Sequence, residues 1–326
     1  MIPERSRAVG PFVAVVMFLA ALVLFVFVLV PRVVSADPPP VSPSPSPPPD
    51  DCAARASSVL PARLMVDAAQ RVSTGRIDAV TGIAVLDRCD GEIALGDRGV
   101  AVMRSASLAK LVTAVDVLTR RDHDEIELTA ADVELLRRAL GPSDDDAMND
   151  LWTRFDGPGG VVRVARLVGL RETVPPADES RWGDTGTSAR DVAALYGYIL
   201  DRLEPADRDL VLGDLAAAPR IAADGFDQGF GLLEPARRGS AQAKQGWACR
   251  RGGALDLHSA GLLEAGGRYV LAVLSTQPPD ERSARASLDA AAAAARDVGT
   301  GPAPADTRTR NRDELVGSWA GPGPAT

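Results

Sequence analysis

Lys110 and Lys244 are the only lysines in this chain of 326 residues, although lysine and arginine together number 36. Arginine therefore serves wherever the chain needs an ordinary positive charge. Arginine cannot lose its proton in a protein, whereas a desolvated lysine can act as a base. Ser107 precedes Lys110 by three residues, and residues at that spacing lie on one face of a helix. The pair predicts a serine nucleophile whose proton is taken by a neutral lysine.

The segment from Ser107 to Arg120 is predicted to be a helix, with Ser107 in its first turn. The first backbone N–H groups of a helix have no intrahelical partner, so they are available to hold an oxyanion. Lys244 begins a second short motif at residues 244–247. A second positive charge near Lys110 would favour its neutral form and would offer a contact to an anionic substrate group. The two lysines therefore predict one shared site.

The composition excludes several other functions. The net charge of −8 argues against a nucleic-acid partner, which requires a basic surface. The chain has two histidines, and we find neither a glycine-rich phosphate loop nor the cysteine and histidine spacing of a metal site. We therefore expect no metal and no cofactor. The hydrophobic content of 46% with only 4% aromatic residues predicts an aliphatic core.

The two ends of the chain differ in composition from its middle. No charged residue occurs from Ala8 to Pro31, a run longer than the roughly 20 residues that cross a bilayer as a helix. Arg5 and Arg7 precede this run, which places the N-terminus in the cytoplasm and the rest outside. A cleaved signal peptide ending near Ala36, with a secreted product, is the alternative. The predicted segments are an anchor at 1–36, a Pro/Ser linker at 37–50, a folded domain at 51–299 and a disordered tail at 300–326.

Within the folded domain the order of patterns is a helix and two strands, several helices, three strands and a last helix. This order predicts an α+β fold in which an antiparallel sheet of about five strands is flanked by N- and C-terminal helices and carries an inserted all-α subdomain. The predicted helices are 53–71, 107–120, 128–140, 147–155, 161–167, 188–200, 206–212 and 288–298, and the predicted strands are 77–86, 92–95, 243–249, 256–264 and 268–274.

Three cysteines allow one disulfide bond. The return from the first helix into the first two strands would bring Cys89 close to Cys52. Because the predicted compartment is oxidising, we expect these two residues to form a disulfide and Cys249 to stay unpaired.

Three ordered segments resemble the motifs of the penicillin-recognising serine hydrolases. These segments are residues 107–110, 143–149 and 244–246, which are similar to Ser-x-x-Lys, Ser-x-Asn and Lys-Thr/Ser-Gly. Within that superfamily the chain is most similar to the class A β-lactamases. Asn149 stands at the end of the second motif, and residues 184–188 resemble the end of the omega loop of those enzymes. The resemblance spans about residues 52–298.

The resemblance implies a role for each matching residue. Ser107 would be the acylated nucleophile, Lys110 its base and Ser143 the proton shuttle to the leaving group. Lys244 would anchor a substrate carboxylate, and the N–H groups of Ser107 and Trp247 would form the oxyanion hole. The implied substrate is a small molecule or a peptide, including material derived from peptidoglycan, and the implied state is a monomer. The implied substrate-binding or oxyanion-hole set is Asp145, Asn149, Gln245, Gly246 and Trp247.

Two positions depart from the motifs. Asp145 replaces an asparagine, and a carboxylate beside Lys110 would favour the charged lysine. Gln245 replaces a hydroxyl residue, and Glu172 is only a loose match to the omega-loop glutamate that hydrolyses the acyl-enzyme. The sequence therefore leaves two functions open: a serine hydrolase at the membrane, or a non-catalytic binding module of the cell envelope with the same fold.

Overall fold

The computed structural model describes residues 52, 61–73, 79–236, 238, 241–250, 252–263 and 267–300. The described chain has an α+β architecture built on a five-stranded antiparallel sheet, as predicted. The strand order in the sheet is β2-β1-β7-β6-β5, so strands from both ends of the chain lie side by side. The strands are β1 (Val80–Asp87), β2 (Ile93–Leu95), β5 (Gln242–Cys249), β6 (Leu255–Leu262) and β7 (Tyr269–Gln277), and a separate small ladder pairs β3 (Met103–Arg104) with β4 (Gly186–Thr187).

Helices account for the rest of the regular structure in the described part of the chain. The α-helices are α1 (Pro61–Ser73), α2 (Ala109–Asp122), α3 (Ala130–Leu140), α4 (Asp145–Arg154), α5 (Gly157–Val168), α6 (Ala189–Asp201), α7 (Pro205–Ala216) and α8 (Glu281–Thr300). Three short 3-10 turns occupy Ala106–Leu108, Trp182–Asp184 and Gly231–Leu233. The helix starts follow local chemistry: Thr129 and Asp132 form a capping box at α3, and the Ser188 side chain caps α6.

The sheet separates two cores because its side chains alternate between its faces. Ala84 and Leu86 of β1 face one cluster, and Ile83 and Val85 face the other. The second cluster packs against α1 and α8, which contact each other extensively. The first cluster is filled by α2, α4 and α6. Helices from both ends of the chain thus cover one face, and the inserted helices extend from the other face.

Helix α2 is the centre of the inserted subdomain. Every residue from Ala109 to Thr119 is buried, which is expected of a helix surrounded by other elements on all sides. Lys110 lies in its first turn and is only 1% exposed. The packing of this helix therefore removes the Lys110 ammonium from water, and only groups from other elements can compensate it.

The element boundaries correct several predictions. The helix predicted from Ser107 begins as a 3-10 turn and becomes an α-helix at Ala109, because the residue before Ser107 has an unusual backbone conformation. The last helix begins at Glu281 rather than Leu288, with Asp280 accepting a hydrogen bond from the Ser283 N–H at its start. The first turns of this helix therefore precede its alanine-rich part.

The predicted disulfide is confirmed: Cys52 and Cys89 are bonded, with their Cα atoms 5.3 Å apart, and Cys249 is free and exposed. The predicted anchor at 1–36, the linker at 37–50 and the tail beyond residue 300 lie outside the described residues. Among the residues that are described, no helix has both the length and the apolar run needed to cross a bilayer.

Candidate functional site

Ser107 is presented by a strained turn at the start of α2. Ala106, directly before it, has φ 45°, a conformation that costs a non-glycine residue on the order of 1–3 kcal/mol. The turn is held from both sides, since the Ser105 N–H donates to the Thr185 carbonyl at 2.7 Å and the Leu108 N–H donates to the Ser105 carbonyl at 3.0 Å. Such strain persists only where the surroundings impose it, and here it directs Ser107 into a cleft.

Lys110 lies at the centre of a compact hydrogen-bonded cluster. Its Nζ is 3.0 Å from Ser107 Oγ, 3.1 Å from Ser143 Oγ and 2.7 Å from the Ser143 carbonyl oxygen. It is also 2.6 Å from Asp145 Oδ1. A neutral amine has two N–H donors and one lone pair. The Ser143 carbonyl and Asp145 can accept the two N–H bonds, which leaves the lone pair for the Ser107 proton.

Lys244 approaches the same cluster from β5. Its Nζ is 2.7 Å from Ser143 Oγ and 3.2 Å from the Gln245 carbonyl. Ser143 Oγ therefore contacts both lysines of the chain. The side chains of Ser107, Lys110, Ser143 and Lys244 meet at one place, and each of these residues is at most 4% exposed.

Burial shifts both lysines of the site towards their neutral form. Desolvation lowers the pKa of Lys110 below its ordinary value of 10.5, although the Asp145 carboxylate acts in the opposite direction. Desolvation also lowers the pKa of Lys244 well below 10.5, and the positive charge of Lys110 adds to that effect. For the pKa of Lys110 the effect of burial is therefore larger than the opposing effect of Asp145.

The start of α4 positions the second motif. Asp144 is the N-cap, since its side chain accepts from the N–H groups of Asp146 and Ala147, and Arg138 binds the same carboxylate. Ser143, just before the cap, has φ 58°. This left-handed conformation turns the Ser143 hydroxyl and carbonyl towards Lys110 and leaves Asp145 on the first turn beside them.

Strand β5 supplies the opposite wall, and Tyr196 of α6 fixes its position. The Lys244 N–H donates to the Tyr196 hydroxyl at 3.0 Å, and that hydroxyl donates to the Ala260 carbonyl of β6 at 2.8 Å. Lys244 and Ala260 are opposite each other in the sheet, so the Lys244 N–H points towards β6. Successive N–H groups of a strand alternate, so the Trp247 N–H points away from β6, on the side of the cleft that Trp247 lines.

Gly246 permits this strand to lie against the serine turn. A Cβ atom at Gly246 would be 3.1 Å from the Ser105 carbonyl oxygen and 3.1 Å from a ring carbon of His258. These are contacts that a side chain could keep only if β5 moved away. A glycine therefore allows the backbone of β5 to approach the turn that carries Ser107.

The cleft above Ser107 has a volume of about 280 Å³ and two tryptophan walls. The Trp182 ring centre is 4.9 Å from Lys110 Nζ, and its indole N–H donates to Asn149 at 2.8 Å. On the other side Trp247 stacks on Phe226 with ring centres 4.6 Å apart, and its indole N–H donates to Asp224 at 2.9 Å. The cleft is lined by Arg104, Ala106, Ser107, Asp145, Arg181, Trp182, Gly183, Asp184, Trp247, Ala248 and Cys249.

Four residues of interest lie away from the converging groups. The Gln245 side chain is fully buried, and its amide donates to the backbone carbonyls of Gln228 and Phe230. The Glu172 carboxylate pairs with Arg190 and accepts from Ser188 Oγ at 3.1 Å. His258 is buried in the sheet between the Arg104 carbonyl and the Ser275 N–H. Asn149 supports Trp182 instead of facing the Ser107 hydroxyl.

Sequence patterns gave no indication of several residues that shape the site. Arg104 joins the cleft to the sheet through Asp184 at 3.0 Å and Asp256 at 2.7 Å, and Tyr196 joins two strands through its hydroxyl. Arginine and aspartate are too common in this chain to stand out, and a tyrosine in a helix is normally a core residue. Their roles depend on contacts between distant segments, which no local spacing reports.

Relatives of known sequence are mycobacterial proteins. "Putative lipoprotein LppW" of Mycobacterium tuberculosis and of Mycobacterium bovis is 34% identical to the chain over 216 residues, which are 65% of this chain and 68% of the relative. No family model matches the chain.

Similar solved structures share the fold at low identity. A class A β-lactamase of Bacteroides cellulosilyticus has a TM-score of 0.58 and 14% identity, covering 75% of this chain and all of the other. A β-lactamase of Sphaerobacter thermophilus has a TM-score of 0.56 and 18% identity, covering 73% and 98%. The protein PBP-A has a TM-score of 0.54 and 18% identity, covering 72% and 94%.

Proposed function

Because this chain belongs to the family of mycobacterial LppW and has the fold of the penicillin-recognising serine hydrolases, we propose that it is an extracytoplasmic serine hydrolase. The enzyme acts on an amide, peptide or ester through an acyl-enzyme at Ser107. The observation that carries this proposal is the contact of Lys110 Nζ with Ser107 Oγ at 3.0 Å inside a buried cluster. A buried, neutral lysine next to a serine hydroxyl is the arrangement that makes the hydroxyl a nucleophile.

In the proposed reaction Ser107 Oγ attacks the substrate carbonyl while its proton passes to Lys110 Nζ. The carbonyl π bond becomes an oxyanion, which the N–H groups of Ser107 and Trp247 stabilise. The bond to the leaving group then breaks, and the proton returns from Lys110 through Ser143 Oγ to that group. Ser143 suits this transfer because its hydroxyl contacts both lysines. Water must then hydrolyse the ester at Ser107.

The proposed place of action is the outer face of the cell membrane. The relative is named a lipoprotein, and the predicted segment 1–36 would provide a single-pass anchor with its N-terminus in the cytoplasm. The disulfide Cys52–Cys89 fits an oxidising compartment. A cleft of about 280 Å³ suits a small molecule or the end of a peptide, and fragments of peptidoglycan are the substrates we favour.

Active-site labelling tests the proposal. The full chain is incubated with a fluorophosphonate and, separately, with a labelled penicillin, and intact mass reports the adduct. We expect one adduct on the wild type and on Ser180→Ala, a matched control at an exposed serine, and none on Ser107→Ala. An equal adduct on Ser107→Ala would show that Ser107 is not the nucleophile.

A non-catalytic binding module of the cell envelope is the second candidate. The 2.6 Å contact between Lys110 and the half-exposed Asp145 carboxylate favours it, because a protonated Lys110 could not accept the Ser107 proton. The two candidates differ in one result. A binding module would be stabilised against heat by a penicillin while forming no covalent adduct with it at any pH at which it is folded.

A further inference from the structure

Asp145 presents a carboxylate to the cleft directly beside the reacting groups. Its Oδ1 contacts the same Lys110 Nζ that contacts Ser107 Oγ, so the two oxygens lie within two hydrogen-bond lengths of each other. The side chain is 53% exposed, and Asp145 lines the cleft. An ionised carboxylate only accepts hydrogen bonds. It therefore repels a substrate carbonyl and attracts an N–H group or a cation.

The internal contact with Lys110 does not saturate this carboxylate. Oδ1 is bound to Lys110, whereas Oδ2 has no hydrogen-bond partner among the residues that the structure describes. Asp144, the preceding residue, is different, because Arg138 and two backbone N–H groups bind its carboxylate. Asp145 is thus the acid of this helix start with an oxygen available to a ligand in the cleft.

The surroundings of Asp145 add to its preference for a cation. The exposed carboxylate of Asp224 lies close enough to act on the charges of both lysines. The cations of the cleft, Arg104 and Arg181, are both paired with Asp184. The tryptophan walls add aromatic faces, which attract ammonium groups. The two arginines of the cleft are therefore compensated by Asp184, whereas Asp145 presents an exposed carboxylate oxygen to a ligand.

We propose that the acyl donor carries a protonated amino group a few bonds from the scissile carbonyl, and that Asp145 binds this group. The substrate class is an aminoacyl ester or amide with a free amine. This inference rests on the proposed function, and it names the substrate of the same site.

The same contact would prepare the base. An ammonium group bound to Asp145 offsets the negative charge that favours protonated Lys110, and it adds a like charge nearby. Both effects shift Lys110 towards the neutral form that accepts the Ser107 proton. The substrate would thereby relieve the obstacle that the Lys110–Asp145 contact presents in the free protein.

The test compares three 4-nitrophenyl esters that share one scissile bond. They are the esters of 3-aminopropanoic acid, of its N-acetyl derivative and of its N-succinyl derivative, which are cationic, neutral and anionic. An alkyl ammonium stays protonated at about pH 7. Release of nitrophenol and intact mass measure acylation of the full chain, and each rate is divided by the uncatalysed rate. The variants are Asp145→Asn and the control Asp146→Asn, whose exposed acid is outside the cleft.

We expect the free-amine ester to acylate the wild type and Asp146→Asn about tenfold faster than the N-acetyl ester does. The N-succinyl ester should be the slowest of the three. In Asp145→Asn the ratio of free amine to N-acetyl should fall to about one. The ratio reports the advantage that Asp145 gives to the amine, through binding and through its action on Lys110, because an effect of the substitution on Lys110 alone changes both rates together.

The outcomes separate the two proposals. If a fluorophosphonate labels Ser107 but the free-amine ester has no advantage, or its advantage survives in Asp145→Asn, the substrate inference is wrong and the hydrolase proposal stands. Labelling of Ser107 with no acylation by any of the three esters likewise overturns the substrate class. If neither the fluorophosphonate nor any ester modifies the chain, the hydrolase proposal fails and the inference fails with it.

Discussion

Replacement of Tyr196 by phenylalanine tests how the sheet holds Lys244 in the site. The Tyr196 hydroxyl is inserted between opposite residues of β5 and β6, where it accepts from the Lys244 N–H and donates to the Ala260 carbonyl. Tyr196→Phe removes the oxygen and leaves the ring in place. All three residues are at most 1% exposed, so water has no ready access to the two backbone groups that lose their partner.

The expected loss follows from those two groups. Each buried donor or acceptor left without a partner costs about 1–3 kcal/mol, and some relaxation of β5 towards β6 is expected. We therefore expect the free energy of unfolding to fall by about 2–4 kcal/mol, which corresponds to a decrease in Tm of about 5–15 °C for a domain of this size. Acylation of Ser107 should also slow, because Lys244 is carried by the loosened strand.

Urea and thermal unfolding, followed by circular dichroism, measure the effect. Tyr198→Phe is the control, since it removes a hydroxyl from a half-buried residue of the same helix that lies beside Thr119 of α2, and we expect a smaller loss of unfolding free energy from it. If Tyr196→Phe is as stable as Tyr198→Phe, the hydroxyl does not join the two strands energetically. If it is destabilised but labels at the wild-type rate, the position of β5 does not limit the reactivity of Ser107.

Three further predictions concern the charges and the covalent link. The rate of Ser107 labelling should rise with pH through the pKa of Lys110, which lies below 10.5. Asp145→Asn should move this rise to lower pH, because the carboxylate favours the charged form of Lys110. An unshifted profile would exclude Lys110 as the titrating base. The acyl-enzyme at Ser107 should persist, because the Glu172 carboxylate is paired with Arg190. Glu172→Gln should therefore leave the lifetime of the acyl-enzyme unchanged. A longer lifetime in mass-spectrometric time courses would assign hydrolysis to Glu172. Reduction of the Cys52–Cys89 disulfide should lower the unfolding free energy by about 2–4 kcal/mol, since the bond closes a loop of 37 residues. Equal urea midpoints with and without reductant would contradict this prediction.

Burial of the two lysines has a further consequence for stability. The pKa of each lysine is lower in the folded protein than in the unfolded chain. Between these two pKa values the folded protein binds fewer protons than the unfolded chain. The free energy of unfolding should therefore rise with pH in that window. Lys244→Met should weaken this rise in the range below pH 10.5, as measured by urea unfolding at each pH. A slope equal to that of the wild type would mean that Lys244 is not desolvated in the folded protein.

Much of the fold could be predicted because its signals are local. The apolar runs of β1 and α2 predict a buried strand and a buried helix, and the α6 start follows from Ser188. The late start assigned to α8 shows the limit of such reasoning. Arginines and serines in its first turns obscure an amphipathic helix whose buried side is mostly alanine.

The sequence by itself determined the set of candidate residues, since two lysines in an arginine-rich chain and three ordered motifs select them without reference to distance. Only the tertiary structure decided their state. Lys110 meets Ser143 across 33 residues and Lys244 meets Ser143 across 101, so their contacts exist only when α2, α4 and β5 pack together. Sequence indicated that Asp145 would oppose a neutral Lys110, but burial of Lys110 was not visible in it. The pKa of a lysine depends on how completely packing excludes water from its amino group. Only the folded structure shows this exclusion, because no sequence motif reports it.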